Sequence, residues 1–369
     1  MSEPKKFAWI DTMRAIAILM VIAVHCGQYV QGTTAIAKLF TYGQMGVQLF
    51  FVASALTLCL STNARREESR PLLKFYLRRF FRIAPAYYIG IAFYTVWTIG
   101  VSKYGVGPYP NADQYTLTNI IANALFVHGL YPPANNTIVP GGWSIAAEMI
   151  FYAIFPLLFR AMERMSNQLY AVLVAIGATA AALPLLEAYA GLKLYNGSFL
   201  YFSILTQLAV FVVGMAYFFE SQKGRVWKYP AIQFAAFLTI ALALWETGQF
   251  GLVPTFSAFA FLGVAEQLKA SPQKLHKWLH PIGKYSFSMY LCHFAVLNGL
   301  SVLINTKLGL QRYIGADLTL ALFYLSTIAI TFGIAQAMYR TIESPMVAFG
   351  ARTIDRMDKA SLRSSTSTT

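Results

Sequence analysis

Charged side chains are scarce in this 369-residue sequence: Asp, Glu, Lys and Arg make up 12% of it, about half the share of a soluble domain. Only 15 residues are acidic. A chain so poor in charge is not disordered, because disorder needs the opposite balance. Three cysteines exclude a disulfide framework. Motifs of the GxGxxG, Walker A, HExxH and GxSxG types are missing, so the common nucleotide, metalloprotease and serine-hydrolase signatures do not apply. No internal repeat is evident, which weighs against an inverted-repeat transporter. What the sequence has in abundance is apolar surface, at 57% of residues. It reads as a polytopic membrane protein.

A membrane-crossing helix needs about 20 mostly apolar residues. About ten such stretches run over 8–30, 45–62, 84–101, 143–160, 169–190, 200–219, 230–247, 251–267, 284–304 and 317–340. A shorter stretch, 117–130, is expected to lie at the interface or re-enter. The first span carries Arg14 and His25 and lacks a small-residue cleavage site, so it is not a removable signal. The net charge of +14 would suit nucleic acid, but its distribution does not. Most of the 29 Lys and Arg residues fall in alternate loops and the two ends, with Arg65, Arg66, Arg70, Lys74, Arg78, Arg79 and Arg82 between the second and third stretches. The opposite loops hold only Lys38, Lys103, Lys193, Lys307 and Arg312. The positive-inside rule places the basic side in the cytoplasm. Both termini are then cytoplasmic, and nucleic acid is not an expected partner. The expected architecture is an all-α integral membrane bundle over 1–345, followed by a cytoplasmic, disordered tail over 346–369. Asn135-Asn136-Thr137 matches a glycosylation sequon, a pattern common by chance.

Ionisable groups inside a bilayer are expensive and mark function by default. Asp11, Arg14 and His25 lie in the first stretch. From Arg14 to His25 the helix advances three turns plus about 20°, so both share one face about 16 Å apart along the axis. Asp11 and Arg14 are also spaced for a local ion pair. The run Lys74-Phe75-Tyr76-Leu77-Arg78-Arg79-Phe80-Phe81-Arg82 has two readings. It is either a juxtamembrane helix with snorkelling charges or, through Arg79 and Arg82, a phosphate site. Glu148 follows Ser144 by one turn, where Ser144 can cap the helix and Glu148 can pair with an arginine. His293 lies well inside the ninth stretch. Glu343 sits at a boundary and can balance Arg340. Cys26 adjoins His25 and Cys292 adjoins His293, but helix neighbours point about 100° apart, so a metal site is not expected.

Several of these segments resemble the membrane acyltransferase-3 family, bacterial O-acyltransferases of surface and exported glycans. Asp11 to His25 is similar to its opening Arg-x10-His segment, and Gly46 to Ser54 to its GVxLFFVxSG stretch. Arg79 and Arg82 match its Arg-x-x-Arg. Trp143 to Glu148 resembles WSLxxE, Ser286 to His293 resembles SYSLYLxH, and Ile342-Glu343-Ser344-Pro345 resembles IExP. The order is the family's, from residue 11 to 345. Departures are Ala55 for the usual glycine, Phe287 for Tyr, Cys292 for Trp and Gln48 for the commoner Asp.

The resemblance implies an O-acyltransferase, most often an O-acetyltransferase, in the bacterial inner membrane. It would move an acyl group from cytoplasmic acyl-CoA, usually acetyl-CoA, to a hydroxyl of a glycan or glycolipid. Acetyl-CoA would be a donor substrate, with no tightly bound cofactor. No second, hydrolase-like domain of the kind some members carry is expected here. His is the natural base near neutral pH, which makes His25 the candidate base. Arg14, Arg79 and Arg82 are candidates to hold the donor, with Glu343 beside them. Glu148 and His293 are candidates for polarising His25 or binding the acceptor. The alternative is a transporter or flippase of glycan units without chemistry.

Overall fold

The computed structural model describes residues 7–104 and 112–366. It is helical throughout, with no strand among the described residues. In chain order the helices are α1 (Ala8–Tyr29), α2 (Ala35–Thr41), α3 (Gly46–Ala64), α4 (Pro71–Tyr104), α5 (Leu117–Ala124), α6 (Gly142–Glu163), α7 (Leu169–Ala190) and α8 (Phe199–Phe202). They continue as α9 (Ile204–Gln222), α10 (Pro230–Glu246), α11 (Val253–Ala270), α12 (Gln273–Lys284), α13 (Ser286–Ser301), α14 (Gln311–Ile314), α15 (Ala316–Met338) and α16 (Ser344–Thr366). Helix is the form expected of long apolar runs, because it satisfies every backbone group without water.

Eight described helical segments are long and apolar enough to cross a membrane, so the chain is a multi-pass membrane protein. The other two expected stretches coincide with α10 and α11. α10 has 17 residues, about 25 Å of rise, short of a hydrocarbon core of about 30 Å. α11 carries Glu266 and Lys269 in its last turns. The two pack against each other as a helical pair.

α1 lies at the centre, packed on α3, α11, α12, α13 and α15. Its contact with α3 is close because two glycines stand at the crossing. A Cβ on Gly46 would lie 2.6 Å from the Ala17 carbonyl, and one on Gly43 2.2 Å from that of Met20. α3 in turn crosses α9 at Ala55, where Gly214 supplies the missing volume: a Cβ on Gly214 would lie 2.9 Å from that of Ala55. The alanine that departs from the family pattern is thus accommodated by a glycine across the interface. α9 is an inner helix, with 72% of its most apolar window buried, whereas α7 has 17% and presents its apolar sides outward.

The third stretch begins earlier than expected, because the basic run forms the first turns of α4, one helix of 34 residues. One expectation is corrected: the segment after 345 is not a disordered tail, because 344–366 is helical. α16 lies on α4, with Phe349 and Phe81 rings 5.3 Å apart. Lys74, only 1% exposed, reaches Asp358 at 2.6 Å. Its polar composition suggested disorder; the surface of α4 supplies the partner that composition cannot show. Between α4 and α6, α5 and short 3-10 turns form a compact cover in which Asn123 is buried. Asn135 of the sequon is buried too, at 3% exposure, and is not open to modification.

Candidate active site

Three cavities are walled by candidate residues. The first, about 80 Å³, is lined by Arg65, Arg78, Arg79 and Arg160 with Phe75 and Phe155. The next, also about 80 Å³, is lined by Arg14, Arg82, Ser54, Glu148 and Tyr152. The third, about 400 Å³, holds His25. The second and third share Val47 and Tyr290 as lining residues, so these side chains stand between the Arg14 chamber and the His25 chamber.

The spacing of Arg14 and His25 on one helix face is realised as these two neighbouring chambers. Arg14 makes the expected ion pair with Asp11 at 3.1 Å and also donates to Thr57 Oγ1 at 2.8 Å. His280 adds a second contact to Asp11 at 3.5 Å. His25 Nδ1 lies 2.9 Å from Gln28 Oε1. An amide oxygen only accepts, so Nδ1 carries the proton and Nε2 keeps its lone pair. The sequence reading missed Gln28, although its i,i+3 spacing from His25 puts the two side chains together.

The tertiary fold brings α13 to α1 and so unites two histidines far apart in sequence. The His25 and His293 rings are 5.4 Å apart, and Phe294 packs on both, at 4.4 and 4.2 Å. His293 is fully buried. Its Nδ1 donates to the Tyr290 carbonyl at 2.6 Å, and its Nε2 has no hydrogen-bond partner. The neighbouring cysteines turn elsewhere, Cys26 toward Thr327 and Cys292 toward backbone carbonyls of Met289 and Thr331.

Tyr290 is the second residue missed by role. Its hydroxyl donates to the Gly141 carbonyl at 2.9 Å and lies 2.8 Å from Ser144 Oγ. Gly141 has φ +77°, and a Cβ there would sit 2.8 Å from the Tyr290 hydroxyl, so glycine is needed for both backbone and space. Ser144 therefore serves this junction; α6 begins at Gly142 without a side-chain cap.

Glu148 makes no ion pair within reach of an arginine among the described residues. Its carboxylate accepts from Ser54 at 2.5 Å and from the Tyr152 hydroxyl. Arg79 sits over the Tyr152 ring, 5.9 Å from its centroid, and its Nε is buried without a partner. Arg82 lines the same chamber as Arg14 and Glu148. The two arginines of the pair line different cavities, Arg79 the first and Arg82 the second. Glu343 is brought to neither chamber. It is buried at the end of a π-turn after α15, where it accepts from Ser288 rather than pairing with Arg340.

Comparison with known proteins bears on this geometry. The acyltransferase-3 family model, described as an acyltransferase domain, matches residues 7–340. "Acyltransferase MdmB" of Streptomyces mycarofaciens is 25% identical over 360 residues, covering 90% of this chain and 89% of that protein. "O-acetyltransferase OatA" of Staphylococcus aureus is 23% identical over 383 residues, covering 94% of this chain and 58% of that one. "Peptidoglycan O-acetyltransferase OatA" of Listeria monocytogenes is 30% identical over 165 residues, 40% of this chain and 23% of that protein. The chain thus spans most of the first relative and little more than half, or less, of the OatA proteins. No solved structure matches. The chain is an acyltransferase and belongs to the acyltransferase-3 family.

Proposed function

We propose that this protein transfers an acyl group, acetyl in the first instance, from cytoplasmic acyl-CoA to a hydroxyl of a surface or exported glycan. The observation that carries this is the adjoining pair of chambers, one walled by Arg14 and Arg82 and the other by His25, with Val47 and Tyr290 lining both. The arginine end is the donor side, where Arg79 and Arg82 hold the phosphates and Arg14 the polar groups nearer the thioester. Guanidinium forks suit phosphates, and Arg79 has a buried, unmatched Nε. Positive charge in alternate loops puts that end in the cytoplasm, where acyl-CoA is found, with ten spans and both termini on that side of a bacterial inner membrane.

The chemistry is acyl transfer from a thioester. The acceptor oxygen attacks the thioester carbon, its proton passes to His25 Nε2, and the C–S bond breaks. The proton then goes to the leaving thiolate, regenerating neutral His25 and releasing free thiol. Gln28 supports this role by keeping the proton on Nδ1 and the lone pair on Nε2. Glu148, held by Ser54 and Tyr152 in the Arg14 chamber, orders that chamber's polar wall. His293 backs His25. Glu343 joins α13 to the α15–α16 turn.

Replacing His25 with Ala should abolish acetyl transfer to the host's glycans while the protein still inserts in the membrane and binds acetyl-CoA. Retained transfer would remove His25 as the base. Absence of any acetyl-CoA binding or turnover by the intact protein would favour a flippase without chemistry.

A further inference from the structure

The outer chamber carries information about what it receives. Its lining includes Gln28, Gln44, Gln48, Gln114, Asn136 and Asn196. It has no Asp, Glu, Lys or Arg among the described residues, and His25 is its one ionisable imidazole. The amides alternate with aromatic surface, where Trp143 stacks on Phe202 with ring centroids 4.3 Å apart. Gln48 is 1% exposed, and its Nε2 donates to Gln207 at 3.1 Å, which fixes this amide in the wall. A carboxylate or phosphate would find no cation on that wall among the described residues.

The chamber also does not end at His25. A second groove, about 520 Å³, shares Gln114, Asn136, Thr137, Gly197 and Phe202 with it. The one charged group on that groove's described wall is Asp113, which repels anions. Each space alone falls within the size range of binding sites for drug-sized ligands, about 300–1,000 Å³, so the adjoining pair leaves room for an acceptor longer than the acetylated unit.

We propose that the acceptor is an uncharged, polyhydroxylated molecule, an oligosaccharide or glycoside of neutral sugars, laid across this amide-lined surface with one hydroxyl at His25. This rests on the acyl-transfer reading above and names its substrate class. Polymer and small-molecule glycoside share this chemistry, so the test has an arm for each.

The test compares hosts with and without the gene. Tandem mass spectrometry maps O-acetyl groups on the cell-surface and exported glycans in one arm and on soluble glycosides of the medium in the other. The expected result is loss, on deletion, of acetyl groups carried by uncharged sugar residues, in whichever arm holds the acceptor. Loss from uronate, sialate or phosphorylated residues would overturn the assignment while leaving the acyltransferase intact. Loss from neither arm would overturn the glycan-acceptor reading itself. A Gln114→Ala variant, whose side chain forms no part of the packed core, should lower acetylation about 10-fold with acetyl-CoA binding unchanged. Unchanged acetylation in that variant would remove the amide surface as the acceptor's support.

Discussion

The inner, arginine-walled cavities and the outer chamber at His25 are built from opposite materials. The inner pair is walled by Arg14, Arg65, Arg78, Arg79, Arg82 and Arg160 with two carboxylates, Glu68 and Glu148. The outer one is walled by neutral amides and aromatic rings around a single imidazole. The contrast matches the proposed pair of substrates, an anionic donor at the arginine end and a neutral acceptor at the His25 end. In that proposal the charge of each wall keeps the two in order, because a low-dielectric chamber penalises the wrong ion heavily.

The comparison is broken most directly by removing one group from each side. His25→Ala should reduce transfer by about 10²–10⁴-fold, the usual worth of a positioned base, without changing the acetyl-CoA dissociation constant measured by calorimetry. Arg82→Ala should do the reverse. It should weaken acetyl-CoA binding by about 10–100-fold, as expected for a lost charged hydrogen bond of about 1.5–3 kcal/mol, and Lys should rescue it only in part. If both variants change the same constant, the two chambers are one site.

Gln28→Leu sharpens the outer side alone. It should lower kcat about 10-fold with little change in KM for either substrate, because only the tautomer of His25 is disturbed. Gln28→Glu, which still accepts from Nδ1, should keep most of the activity, and equal losses in both variants would reduce Gln28 to packing.

The frame that sets the chambers apart is tested at the α3–α9 crossing. Gly214→Ala should cost about 1–3 kcal/mol by overpacking, seen as a lower thermal midpoint in detergent. Adding Ala55→Gly should return most of it, and strict additivity in that double-mutant cycle would mean the two positions do not meet. The smallest effect is expected at the rim. Arg78 donates to both oxygens of Glu68, at 2.9 and 2.6 Å, and holds that carboxyl below its ordinary range. A depressed carboxylate contributes stability above its unfolded pKa and loses it as pH falls through the folded one. Arg78→Ala should therefore cost no more than about 1 kcal/mol at neutral pH, and the difference from wild type should vanish in acid.

Much of the fold was legible because apolar length is a direct physical requirement. Eight of the ten stretches correspond to segments long and apolar enough to span. The boundaries failed where charge and helix coincide, since the basic run Lys74 to Arg82 continues α4 rather than preceding it. The tail failed for a related reason, as α16 is ordered by Phe81 and Lys74 of α4, partners nearly 300 residues away. Of the candidate residues, Arg14 and His25 share a face by helical arithmetic alone. Glu343, a donor-side candidate by its motif, is held by Ser288 within electrostatic reach of Arg82, a placement that only the packing of α13 on the α15–α16 turn shows.

The sequence by itself determined that this is a membrane acyltransferase: composition sets the solvent, charge placement suggests the sides, and six motifs in order carry the family. Only the tertiary structure decided that His293 stands 5.4 Å from His25, that Tyr290 and Val47 line two chambers at once, and that the described walls of the His25 chamber hold no Asp, Glu, Lys or Arg. Helix periodicity reports which residues share a face of one helix. It does not report which helix that face meets, and a chamber's charge is the sum over every helix that walls it.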